Sequence, residues 1–550
     1  MLLVSTLPPM NKRMHGLPVA FLLGVMLLSA GCHKEADQAR WDVDIAVPLI
    51  RTTLTIGDLI GDTLIGTDGQ GNVSILYSTR LFEQGLDTLM AVPDTSFGYD
   101  IPDPVLPGFS INPGSSIPAV TDETRFELDE FELRELRVRS GALDLNLTNR
   151  LPTSILTTLT VLGAELNGAP LTADPVVPPG SVAEPVSVFQ TIALDGYSFD
   201  LRGPDLNDVN TLKMLINVTT DPAGPTVILQ EDNRLRAEVS YRDIVPQYAR
   251  GYFGQRNIDV DADTSELNVF DGISGLLDID EATAVLSIRN GIGVDARADI
   301  QHIRSVNRST GNVVDLDHAI INSPLNLDRA LDLGNTFQSA TNAYTLNTSN
   351  SNIDAFIENL PDAIAYDMEL ETNPLGDVSN GNDFFYHESS LTADLDVDIP
   401  LRLIASNLAL SRKTPVDLDG TLERHAFQYG TLHFFATNRF PFSAQVALEI
   451  VGPDDLVLAT LAPGGTISSG QLGFTGLVTS PTTTQLDFTV SKEQIDLFYP
   501  GSAGGPDGAR LRIGVVFNTA DQSEHVQLRS DYTFDVQVTL EGNYIVNGDE

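Results

Sequence analysis

Asp259, Asp261 and Asp263 occupy alternate positions of the stretch DVDADTSE, Asp259–Glu266. Carboxylate oxygens at that spacing are hard ligands of the kind that suit Ca²⁺. An EF-hand loop counted from Asp259 needs Gly at 264 and Glu at 270, and this chain has Thr264 and Phe270. The same alternation returns at Asp42/Asp44, Asp278/Asp280 and Asp394/Asp396/Asp398. That recurrence points to a solvated strand face instead, and such charges also keep strand edges from pairing with other chains. Ca²⁺ is the one cofactor the residues suggest. The sequence has no Gly-x-Ser-x-Gly elbow, since GISG (Gly272–Gly275) is one residue short, and no P-loop or His-Glu-x-x-His. The eight histidines are scattered, and His425 and His433 read as surface residues. No catalytic role is expected.

Cys32 is the only cysteine in 550 residues, so no disulfide framework exists to explain it. It follows a basic pair, Lys12–Arg13, then the apolar run Leu17–Leu28, then Ser29, Ala30 and Gly31. The run has the length of a secretory h-region and is too short to span a bilayer. This arrangement resembles a bacterial lipobox. The resemblance implies that residues 1–31 are a signal peptide, with Met10 giving a more ordinary start than Met1. It also implies that the mature chain begins at an acylated Cys32. Attachment through two or more acyl chains is effectively stable. The following HKEADQ (His33–Gln38) resembles a weakened surface-export signal of Bacteroidota lipoproteins, and a solvated linker explains it as well. The expected location is the outer membrane, with either face open. The triplets DTL at Asp62–Leu64 and Asp87–Leu89 resemble O-glycosylation sites of such proteins. No later segment approaches 18 continuous apolar residues, so no transmembrane helix is expected.

The chain carries 32 Lys+Arg against 75 Asp+Glu, a net charge of −43. Residues 1–31 hold two basic residues and no acids, so the mature balance is 30 against 75, or −45. That argues against a nucleic-acid partner, which needs a basic footprint, and against attraction to anionic headgroups. Ordinary hydrophobic content at this length points to several globular domains.

The elements that would carry these residues repeat. GALDLNLTNRLP (Gly141–Pro152), ATAVLSIRNGIG (Ala282–Gly293) and GTLHFFATNRFP (Gly430–Pro441) are each an alternating strand running into an Asn. Asn149, Asn290 and Asn438 are 141 and 148 positions apart. Later landmarks keep that order, from LINVTTDP, MELETNP and GVVFNTA to AEVSYRDIVP, ADLDVDIP and YTFDVQVTL. Three homologous units follow. Period-2 alternation, with Gly, Pro and Asn between runs, makes each unit β. A short helix per unit is expected, from SKEQ at Ser491–Gln494 and SNIDAFIENL at Ser351–Leu360. The expected fold class is all-β, tandem immunoglobulin-like or LEA-like β-sandwich units. The expected segments are residues 32–125 (an N-terminal β piece with a Pro-rich linker), 126–256, 257–411 and 412–550. DVDIAVPL (Asp42–Leu49) resembles the closing strand of the second unit, so it is expected to pair with or complete a neighbouring unit. Residues 93–118, with six prolines, read as linker.

The order strand, Asn/Pro turn, strand, Asn-Gly turn and PPGS (Pro178–Ser181) resembles the late-embryogenesis-abundant type-2 (WHy) β-sandwich over Ser140–Val186. That resemblance implies a fold and no functional residues. The expected function is a lipid-anchored envelope protein with a non-catalytic binding or structural role. Its membrane contact is the N-terminal lipid, and its protein, glycan or lipid partner is open. The alternatives are a carrier of lipid or another apolar ligand in a β-lined groove, and an enzyme acting on envelope glycans.

Overall fold

The computed structural model describes residues 40–60, 64–85, 92–101, 107–128, 131–267, 269–270, 274–416, 418, 426–474, 476–519 and 521–547. They are almost entirely β. The chain opens with three strands, β1 (Arg40–Leu54), β2 (Val73–Gly85) and β3 (Thr95–Ile101). The first unit follows as β4 (Ser116–Arg125), β5 (Glu132–Asn149), β6 (Ile155–Leu166), β7 (Val186–Ala193), β8 (Thr211–Thr220) and β9 (Leu235–Tyr252). The second unit is β10 (Arg256–Glu266), β11 (Thr283–Asn290), β12 (Ala296–Asn307), β13 (Ala340–Asn347), β14 (Ala363–Thr372), β15 (Asp383–Tyr386) and β16 (Ser390–Pro400). The third is β17 (Arg402–Pro415), β18 (Phe427–Asn438), β19 (Phe442–Val451), β20 (Val457–Ile467), β21 (Thr482–Ser491), β22 (Arg510–Thr519), β23 (Val526–Gln527) and β24 (Phe534–Asn547).

Each unit packs two antiparallel sheets, and the strand order is the same three times. One sheet runs β3-β9-β5-β7, then β2-β16-β11-β13, then β1-β24-β18-β21. The other runs β4-β8-β6, then β10-β14-β12, then β17-β22-β19-β20. In the first unit, Ser198–Asp200 pairs with both β5 and β6, so its two layers join along one edge. Alternation puts one face inside: Leu432, Phe434 and Ala436 of β18 are buried between half-buried neighbours.

In every unit one edge strand is supplied by the N-terminal segment. β1 pairs with β24 from Arg40↔Asn547 to Leu54↔Phe534, β2 with β16 and β3 with β9. DVDIAVPL therefore completes the third unit, and residues 40–101 form a strap distributed over all three. The strap runs in one direction. β2 ends (Gly85↔Ser390) and β3 ends (Ile101↔Leu235) at the pole where their unit's Asn strand ends. Leu54 likewise ends opposite Phe534, the partner of Asn438.

The sequence expectation for residues 93–118 is corrected: they contain β3 and the start of β4. None of the six prolines lies within β3; Pro118 lies in β4, whose register slips between Ile117 and Val120. Helices stand where expected in the second and third units, at Ile353–Glu358 and Lys492–Asp496, the latter with the Ser491/Gln494 capping box formed. Among the described residues the first unit has turns and Ser198–Asp200 instead. No helix of the described residues is long and apolar enough to cross a membrane.

The three landmark asparagines are buried and make the same bonds. The Nδ2 of Asn149 donates to the carbonyls of Thr153 (2.9 Å) and Pro178 (2.8 Å), and its Oδ1 accepts from Leu151 N–H (2.8 Å). Asn290 does so with Val294, Asp328 and Ile292, and Asn438 with Phe442, Ser468 and Phe440. Two residues past each held carbonyl, an N–H returns to the unit: Gly180 to Leu151, Ala330 to Ile292, Gly470 to Phe440. Each Asn thus replaces the backbone pairing that a buried turn lacks. Gly180 has no room for a side chain, since a Cβ would meet the Asn149 carbonyl oxygen at 2.2 Å.

Candidate functional site

The densest polar chemistry lies at the joint between the first two units. The loop after Asp328 forms a small hairpin, Leu331–Asp332 paired with Phe337–Gln338, that reaches back onto the first unit. Asp332 Oδ2 accepts from Tyr248 Oη (2.8 Å) and an Arg250 guanidinium N–H (2.9 Å), and its Oδ1 accepts from Tyr386 Oη (2.8 Å) and Gly334 N–H (2.8 Å). Arg137 donates to the Gly334 carbonyl (2.9 Å) and lies over the Tyr248 ring, 4.5 Å from its centroid. Burial alone would raise the Asp332 carboxyl, but the Gly334 N–H, the two tyrosines and Arg250 outweigh it and hold it below the usual range. Burial, helped by the Asp332 charge, pushes Tyr386 up to about 12 and Tyr248 higher still, so both stay protonated donors.

Beside this cradle, β15 adds to β9 as a further strand, Tyr248↔Tyr386 to Gly251↔Asp383. Asp383 is fully buried and accepts from Asn373 Nδ2 (2.8 Å), Phe253 N–H (3.3 Å) and Arg329 (3.3 Å). Arg329 also donates to the carbonyls of Gly293 and Asn382. Ile292 and Val294 of the second unit pack into the first unit's core. The joint combines hydrogen bonds, ion pairs and apolar contact.

A groove of about 740 Å³ opens next to it, lined by Glu135, Glu165, Asp200, Arg202, Arg250 and Asn382 among others. Glu135 stands opposite Asp200 on one side and Arg250 on the other. Arg202 donates to both oxygens of Asp200 (2.9 and 2.6 Å), and this pairing holds Asp200 below the usual carboxylate range despite partial burial. Such a groove offers donors and acceptors to a polar ligand. A general acid needs a carboxyl raised toward neutral pH, and Asp200 and Asp332 are shifted the other way. The apolar spaces are much smaller: about 40 Å³ at the joint, between Phe131, Phe253, Phe385 and Val294, and 30 and 20 Å³ inside the second and first units. Ligand pockets occupy about 300–1,000 Å³.

The sequence-predicted site residues fall elsewhere. Cys32 and His425 lie outside the described residues, as do the side chains of Asp259 and Asp261 and the triplet at Asp87–Leu89. Asp62 and Thr63 of the other triplet do too. Asp263 is exposed, and its Oδ1 accepts from Thr264 N–H (2.7 Å). β10 carries an extra residue between Val260 and Asp263, so Asp259 pairs with Glu369 but Asp263 with Tyr366. That bulge breaks the alternation read from the sequence, because an inserted residue turns the following ones to the other face. Among the described residues no group of three His, Cys, Asp or Glu is placed to hold a metal ion. The other aspartate rows make cross-strand contacts, Asp394 with Arg80 (2.9 Å) and Asp278 with His525 (2.9 Å). His433 sits between two carboxylates on the outer face of the third unit, Nδ1 2.7 Å from Asp487 and Nε2 2.9 Å from Glu541. Sequence reasoning missed Asp332 and its partners. The one available signal was the aromatic run FFY (Phe384–Tyr386), whose strand partners on β9 lie over 130 residues away and whose acceptor Asp332 lies 54 away.

No protein-family model matches the chain, and no curated protein does. Among solved structures it is similar to a protein of Parabacteroides distasonis that is described only as taken for a secreted protein. The identity is 12%, the match covers 52% of this chain and 82% of that one, and the TM-score is 0.27. A likeness that slight carries neither a fold nor a role across.

Proposed function

We propose that the protein is a lipid-anchored element of the bacterial cell envelope, held at the outer membrane through Cys32, with a structural and binding role and no catalysis. In this reading three welded sandwiches form a stiff stalk. The observation that carries it is the strap. Arg40, eight residues after Cys32, lies opposite Asn547 at the pole of the third unit away from the second. The lipid would then sit at one end of the array, and the Asn149 end of the first unit would face away. The polar groove at the first joint supports a binding role.

Two measurements test this. Intact mass of the native protein should show residues 1–31 removed and Cys32 acylated, and Cys32→Ser should release the protein from the membrane fraction. In small-angle scattering the mature Cys32→Ser chain should exceed the radius of gyration of about 24 Å expected for a compact body of its length. At about 3.3 Å per residue the strap strands of 15, 13 and 7 residues span roughly 115 Å end to end. An unmodified Cys32 overturns the anchor, and a compact scattering profile overturns the stalk.

A further inference from the structure

We propose that this protein is built to bear tension along its length, with the strap of residues 40–101 as the tension member. The inference rests on the anchored-stalk reading for the direction of the load, but the mechanics follow from strand registers alone. β1, β2 and β3 run head to tail toward the same pole, each antiparallel to the last strand of the unit it completes. A pull on residue 40 away from the molecule, resisted at the first unit, acts along the axis of β1. Interstrand hydrogen bonds lie perpendicular to the strands. They are therefore loaded in shear and must fail together, over the whole register from Arg40↔Asn547 to Leu54↔Phe534.

If that clamp slips, the load passes to β2. Its register with β16 runs from Ser74↔Pro400 to Gly85↔Ser390, and the turn before it is tied to the third unit by Val73 N–H to the Leu528 carbonyl (3.1 Å) and Ser530 N–H to the Gly71 carbonyl (3.0 Å). β3 on β9 is third in series. Side chains add shear resistance at the first clamp: Thr53 Oγ1 donates to Asp535 (2.6 Å), and Asn543 donates to Asp42. A pull that separates residue 40 from residue 547 is different. Those two residues sit side by side, so the same ladder opens one pair at a time.

Single-molecule force spectroscopy distinguishes these cases on the full mature chain, expressed without its leader so that Cys32 is a free thiol handle. The shear pair is Cys32 with Val182→Cys, in an exposed loop of the first unit. The unzipping pair is Cys32 with Glu550→Cys. Forced unfolding reads the barrier directly, and shear should need at least about three times the unzipping force at one loading rate. The Thr53→Val/Asn543→Ala double variant should lower the shear force and leave the unzipping order unchanged. Equal forces in the two geometries, or a first rupture that lengthens the chain by a whole unit while β1 stays paired, overturn the proposal. Neither outcome depends on whether Cys32 is acylated in the cell, so failure here and failure of the anchor reading are separate results.

Discussion

Replacing Asn438 by alanine should unlock the third unit and leave the first intact. Asn438 is fully buried, and its amide serves Phe440 N–H, the Phe442 carbonyl and the Ser468 carbonyl at 2.8, 2.8 and 2.9 Å. Alanine leaves all three without this partner. A buried group stripped of its hydrogen bond costs about 1–3 kcal/mol. The N–H has a single hydrogen to donate, so it sits at the upper end of that range, whereas each carbonyl has two lone pairs and sits at the lower. Losses within one network do not add fully, so the total falls to about 3–4 kcal/mol. The chain supplies its own reporter, because its single tryptophan, Trp41, lies in β1 opposite Val546 of the third unit. With a urea slope of roughly 2 kcal/mol/M, the Trp41 fluorescence midpoint should fall by about 1.5–2 M. Asn149→Ala makes the same lesion in the first unit and should move that midpoint far less. A fall below about 0.5 M for Asn438→Ala would show that the buried amide is not what closes the turn. An equal fall for Asn149→Ala would refute the independence of the units.

The remaining expectations are brief. The hydrogen bond to Asp487, opposed by burial and reinforced by Glu541, raises His433 above its ordinary value near 6.5. Its contribution to stability is then full below about pH 6.5 and fades as pH rises through the raised value; His433→Gln should abolish that part of the pH dependence of the urea midpoint. Asp332→Ala leaves Arg250, Tyr248 and Tyr386 without their shared acceptor, and should loosen the first joint by about 3 kcal/mol, seen as faster hydrogen exchange in β15. Because Asp332 is held below its ordinary value, its contribution is present above about pH 4 and lost as pH falls through the lowered one. Gly180→Ala should destabilise the first unit by about 2 kcal/mol or more in chemical denaturation, since the added Cβ meets the Asn149 carbonyl.

The repeat was legible because Asn149, Asn290 and Asn438 do one job that no other side chain does at that size, with an acceptor and two donors on a planar amide. The helix at Lys492–Asp496 was legible for the same kind of local reason, a complete capping box. The strap was only hinted at by the likeness of DVDIAVPL to a closing strand. Pairing Trp41 with Val546 is a contact across more than 500 residues, and a strand's alternation does not say which edge it will meet. The aspartates at 259–263 were read on a period-2 pattern, which assumes an unbroken ladder, and β10 inserts a residue there. The joint was invisible because Asp332 becomes special only when Tyr248, Arg250 and Tyr386 converge on it.

The order of synthesis and the order of pairing in this chain are opposed. β1 is among the first segments to leave the ribosome, yet its partner β24 ends at Asn547. β2 and β3 likewise wait for β16 and β9. Each strap strand must stay unpaired until the last strand of its unit emerges, so long-range pairing dominates, the regime of slow folders that expose unpaired strands on the way. The nascent protein should therefore stay foldable but unfinished until its last strand arrives. Loss of Phe534–Asn547 would leave β1 and β18 without the strand between them, so a copy lacking that segment could not close the third unit.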